Sequence, residues 1–145
     1  MKVQWKNYIW KEPHPVSPGE LERLESEWGV KLPEEYKEVV SLHQGMTPRP
    51  SGFKVGRGAN AFSVLLTVSR HEGKESYSIP QVYQVIRSYV PQGVYPFGGT
   101  PGGEDLCFDY SGSAEHPRVV LVAVDTTIHV VANSFREFLD GLFDD

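Results

Sequence analysis

Val94-Tyr95-Pro96-Phe97-Gly98-Gly99-Thr100-Pro101-Gly102-Gly103-Glu104-Asp105-Leu106-Cys107-Phe108-Asp109-Tyr110 sets two aromatic-rich segments on either side of a run holding four glycines. Backbone so dense in glycine turns tightly or comes close to another group. A phosphate cradle is one use of such a run, but its known forms need parts that are missing. No Lys is followed by Ser or Thr as in a P-loop, and the glycine spacing does not match a dinucleotide fingerprint opening a helix. Glu104 and Asp105 follow directly and would repel a phosphate. The run therefore reads as a turn joining the segment Tyr95 to Phe97 with a strand from Leu106 to Tyr110.

Around that hairpin the chain reads as one domain, 1–145. A length of 145 residues is enough to bury about 70% of the surface an unfolded chain exposes, so no metal or disulfide staple is needed. Hydrophobic residues make up 39% and charged residues 23%, as in ordinary globular proteins. Cys107 is the sole cysteine, which excludes an internal disulfide and gives no sign of an oxidising compartment. Residues 1–10 mix Lys2, Lys6 and Asn7 with aromatics and form no apolar h-region, and no window approaches a membrane span. The expected location is the cytoplasm.

The formal net charge of −5 disfavours nucleic acid as a direct ligand, because backbone binding relies on clustered Lys and Arg. It suits a basic partner, or serves solubility alone.

Residues 1–16 read as an irregular arm whose aromatics Trp5, Tyr8 and Trp10 pack over the core. Ser17, Pro18 and Glu20 form a helix start with a capping box. Leu21, Leu24 and Trp28 give that helix one apolar stripe, and Gly29 stops it. Pro33 opens a second helix with Glu34 and Glu35 in its first turn and Tyr36, Val39, Val40 and His43 inward, ended by Gly45. Arg49 to Asn60 reads as a loop and Ala61 to Val68 as a strand. Arg70 to Ser78 reads as a surface turn. Pro80 begins a third helix with Val82, Val85, Ile86 and Tyr89 in period until Pro91. Val119 to Val124 is a buried strand, turned by Asp125-Thr126 into Thr127 to Ala132. Ser134 and Glu137 box a last helix striped by Phe135, Phe138, Leu139 and Leu142. The order predicts a single α+β domain, mainly antiparallel sheet packed with about four helices.

No catalytic constellation emerges. The five histidines (His14, His43, His71, His116, His129) include no i, i+4 pair, and Cys107 cannot complete a structural zinc site. Cys107 lies between Leu106 and Phe108, where a small buried hydrophobe is the commoner role. Glu104, Asp105, Asp109 and Asp125 could supply paired carboxylates or hard-metal ligands, and Asp105, Cys107 and Asp109 share one face of a strand, although Asp at strand ends is usually a turn or solvent-facing residue. The periodicity assigns Tyr36 and Tyr89 to the core and leaves Tyr95 and Tyr110 open between core and surface.

Three blocks carry a resemblance. They are Leu32-Pro33-Glu34-Glu35-Tyr36-Lys37 with His43-Gln44-Gly45, Pro96-Phe97-Gly98-Gly99 with Gly103 to Tyr110, and Val131-Ala132 with Ser134-Phe135-Arg136-Glu137-Phe138-Leu139. In this order they resemble the SUKH superfamily, in the branch that includes the yeast cell-wall assembly regulator, over about residues 17–143. Gln44-Gly45-Met46 replaces the Asn-Gly-Gly common in the family, and Thr100-Pro101 lengthens the glycine turn. The resemblance implies an α+β domain and no catalysis, and the residues themselves lead to the expectation of no cofactor and no metal. In bacteria the resemblance implies an immunity protein that binds and neutralises a cognate polymorphic toxin, often a nuclease, and the net acidity suits a basic nuclease domain as that partner. The eukaryotic relatives imply the alternative, a regulatory scaffold for another protein, and a small enzyme using Asp105, Cys107 and Asp109 is the third reading. The recognition surface expected here is the rim formed by Tyr95, Gly98, Gly99, Gly102, Gly103, Glu104, Asp105, Asp109 and Tyr110.

Overall fold

The computed structural model describes residues 3–144. Its elements run β1 (Gln4–Asn7), α1 (Pro18–Trp28), α2 (Glu34–His43), β2 (Met46–Arg49), β3 (Gly52–Val55), β4 (Gly58–Ala61), β5 (Val64–Leu65), α3 (Ile79–Ile86), β6 (Val94–Gly99), β7 (Asp105–Asp109), β8 (Arg118–Val122), β9 (Ile128–Ala132) and α4 (Phe135–Asp140). A single five-stranded antiparallel sheet, ordered β5-β6-β7-β8-β9, forms the centre, with β1-β2 and β3-β4 as separate antiparallel pairs. This is the α+β fold the element order predicts.

The two faces of the sheet are covered unequally. On the inner face Tyr95, Phe97, Leu106, Phe108, Tyr110, Val119 and Leu121 enter the main core with α1, α2 and α4. Tyr36 of α2 is fully buried there, its ring edge-on to Phe97, Phe108 and Phe135. On the outer face a smaller cluster of Val94, Cys107, Val120 and Val122 lies under Ile86 of α3. Burial on both faces explains why β8 reads as an unbroken apolar run rather than an alternating one.

The helix signals hold locally. Ser17 and Glu20 form the capping box of α1, and Gly29 closes it in the left-handed conformation. Ser134 caps α4 and Ser78 caps α3, whose first helical residue is Ile79 rather than Pro80. The turn at Asp125-Thr126 joins β8 to β9, Thr126 itself at φ 70.

Four expectations are corrected. The arm 1–16 is not wholly irregular, because Gln4–Asn7 pairs with Met46–Arg49. The loop Arg49 to Asn60 contains the β3-β4 hairpin, hidden by its Gly, Pro and Ser content and turned by Gly56-Arg57. The strand Ala61 to Val68 shrinks to Val64–Leu65, while Thr67 bridges Ser78. Finally, α3 buries only Ile79 and Ile86, which leaves Val85 and Tyr89 exposed.

Candidate partner-binding surface

The glycine run is a hairpin turn, as its composition predicts. The Thr100 amide donates to the Glu104 carbonyl, the Gly103 amide to the Thr100 carbonyl, and the Glu104 amide to Thr100 Oγ1. Gly103 takes φ 85, a conformation that other residues reach only at a steric cost. Gly98 is needed for a different reason, since a Cβ there would meet the Phe62 ring at 2.8 Å. The turn thus projects Gly102 and Gly103 into solvent while Gly98 lies buried and Gly99 half-buried.

Behind the turn the two carboxylates differ. Glu104 accepts a 2.6 Å bond from Asn60 Nδ2 on β4, which ties the hairpin to the rim. Asp105 is pushed up to about 6, first by burial and then by the neighbouring Glu104 charge.

Asp109, Tyr95 and Tyr110 do not belong to an exposed rim. Asp109 is buried: Oδ2 accepts from Arg118 Nη2 at 2.8 Å and Oδ1 from the Ser111 amide at 2.9 Å. Burial pushes its carboxyl up, but the Arg118 and Ser111 bonds outweigh that and hold it below the usual range. The Tyr95 ring stacks on Trp28 at 4.2 Å, and its hydroxyl donates to the Trp28 carbonyl at 3.3 Å. The Tyr110 hydroxyl donates to the Lys31 carbonyl at 2.8 Å. Both tyrosines are core residues on the inner face, so a part of the expected rim is structural. Asp105, Cys107 and Asp109 do share the outer face of β7, yet Cys107 is fully buried and its thiol is pushed well up by burial. It packs as a small hydrophobe. Among the described residues no three His, Cys, Asp or Glu side chains converge on a metal-sized point, and no helix is long and apolar enough to cross a membrane.

The outer face supplies what the motif reading missed. Asp105 pairs with Val122 and Val122 with Ile128, so the three form one row across β7, β8 and β9. Cys107, Val120 and Val130 form the next row. Residues paired across strands point to the same side, and α3 does not reach the last strand. Ile128 and Val130 are therefore exposed, as are Val124 in the adjoining turn and Tyr89 past the end of α3. Tyr89 stands close enough to Asp105 for that charge, after burial, to raise its pKa. Exposed apolar residues thus share the outer face with Asp105, at the end of the glycine hairpin. Its signal in the sequence is the alternation Ile128-His129-Val130, which marks a two-faced strand without saying which face is covered.

No curated protein matches the chain. The sequence profile of the SMI1 / KNR4 family (SUKH-1) matches residues 15–141, from the start of α1 to the end of α4, and spans the α2, hairpin and α4 blocks whose packing builds the core. The chain belongs to the SMI1 / KNR4 family (SUKH-1).

Proposed function

We propose that this chain is an immunity protein that binds a cognate toxin domain, a basic nuclease being the target its acids suit, and neutralises it by occlusion rather than by catalysis. The observation that carries the reading is the set of exposed apolar residues Tyr89, Ile128 and Val130 on the outer face that also carries Asp105, on a member of a family of generally non-catalytic immunity and regulatory proteins. Exposed apolar residues rimmed by charge mark protein interfaces. The acid on that face favours a basic target, because complementary potentials orient the encounter. Next to a basic group Asp105 would ionise fully, which adds a charge-assisted contact on docking.

The test is co-expression with the toxin domain encoded beside this gene, scored by growth and by co-purification. Rescue with a stable complex is expected, with rescue lost in an Ile128→Arg, Val130→Arg variant and weakened in a Glu104→Lys, Asp105→Lys variant. Rescue unaffected by both variants would place the interface elsewhere, and failure of the unaltered chain to rescue would overturn the immunity reading.

A further inference from the structure

A second surface lies on the other flank of α3. Two adjoining clefts of about 290 and 270 Å3 run between α1 and α3 and share Leu24, Glu27, Arg70 and Pro80 in their walls. Together they make one groove with an apolar, partly aromatic lining from Leu24, Trp28, Ile79, Pro80 and Tyr83. Three arginines line it: Arg23 on α1, Arg70 after β5 and Arg87 at the end of α3.

These cations are unusual for an acidic chain. The ion pairs among the described residues engage Lys37, Arg118 and Arg136, and none engages Arg23, Arg70 or Arg87. Arg70 bonds only the neutral Gln84 side chain at 3.3 Å, and the Arg87 guanidinium lies 5.9 Å from the centre of the Tyr83 ring. Of the two carboxylates lining the groove, Glu20 is already used. Its Oε1 accepts from the Ser17 amide and its Oε2 from Ser69 Oγ. Both acids keep their charge, so Glu20 and Glu27 together face three guanidiniums and the groove holds one cationic charge in excess.

We propose that this groove binds an extended acidic peptide segment carrying an apolar side chain. The arginines would take carboxylates in paired N–H···O bonds, the geometry for which a guanidinium is built. The apolar side chain would rest between Pro80 and the Trp28 and Tyr83 rings. The groove lies apart from Tyr89 and Asp105, and its occupant is opposite in charge to a basic toxin, so the proposal does not depend on the immunity reading.

The experiment is a titration of the full chain with a fluorescein-labelled peptide alternating Asp or Glu with Leu or Phe, read by anisotropy and by chemical shifts. Saturable binding is expected, with shifts at the Trp28 indole and at Tyr83. Hydrogen bonds between charged groups imply about tenfold weaker binding in each of Arg70→Ala and Arg87→Ala. Arg57→Glu, in the distant β3-β4 turn, should leave affinity unchanged, and a peptide with Lys in place of the acids should not bind. The proposal fails if no saturable binding occurs. It also fails if Arg57→Glu weakens binding as much as the groove variants do, which would reduce the effect to net charge.

Discussion

At the scale of single residues, two polar groups are held under strain of solvation. The Tyr36 hydroxyl is buried without a hydrogen-bond partner, and burial pushes its pKa far up. An unsatisfied buried donor costs about 1–3 kcal/mol, so Tyr36→Phe should leave stability unchanged or raise it by about 1 kcal/mol in urea unfolding. A marked loss would mean that the hydroxyl has a partner after all. Asp105 makes a pH prediction. Its proton is held more tightly in the folded state, to about 6, than at the ordinary value of 3.8. Ionising it therefore opposes folding, and unfolding free energy should fall as pH rises between those values. With its partial exposure allowed for, the fall is about 1 kcal/mol. Asp105→Asn should remove that slope and stabilise the protein at neutral pH while changing little in acid; an unchanged slope would show the carboxyl to be solvated. Asp109 acts in the opposite sense, since its lowered pKa gives stability that is lost as pH falls.

At the scale of elements, the short helices depend on their caps. α4 has six residues, and Ser134 Oγ accepts from the Glu137 amide while Glu137 Oε1 accepts from the Asn133 amide. Ser134→Ala should cost about 1 kcal/mol, seen as a lower thermal midpoint that Ser134→Asp restores. Such caps are why α1 and α4 were legible: a local hydrogen bond needs only residues three apart. The glycine turn was legible for the same reason. The β3-β4 hairpin and β1 were not, because their pairing is settled by partners outside the strands, as where Gly52 exchanges backbone bonds with Phe143. The site was half legible. The hairpin and its acids could be located from composition, but Tyr95 and Tyr110 are drawn inward by Trp28 and Lys31, dozens of residues away. Tyr89, read as core from its period, is left in solvent because α3 covers only part of the outer face.

At the scale of the molecule, charge and apolar surface are separated. Residues 20–38 hold Glu20, Glu22, Glu25, Glu27, Glu34, Glu35 and Glu38 against Arg23, Lys31 and Lys37, most of the excess negative charge. The exposed apolar face lies on the opposite side of the sheet. If a basic toxin docks on that face, neutralising Glu22 and Glu38 should slow association at low salt and leave dissociation unchanged, whereas Val130→Arg should speed dissociation. Stopped-flow kinetics separates the two, and a change of dissociation with the glutamate variants would put the partner on α1 and α2 instead. The link between those helices has its own place in the architecture. The Trp28 and Lys31 carbonyls accept from Tyr95 and Tyr110, the Lys31 amide donates to the Ala114 carbonyl, and the Leu32 amide donates to Glu25. Three of those partners are strand or loop residues far along the chain, so this link is a clasp between an early helical segment and a late sheet. It is complete only when β6, the end of β7 and the loop after it are in place. In hydrogen exchange the Lys31 amide should therefore open together with the central strands rather than with the frayed ends of the helices beside it.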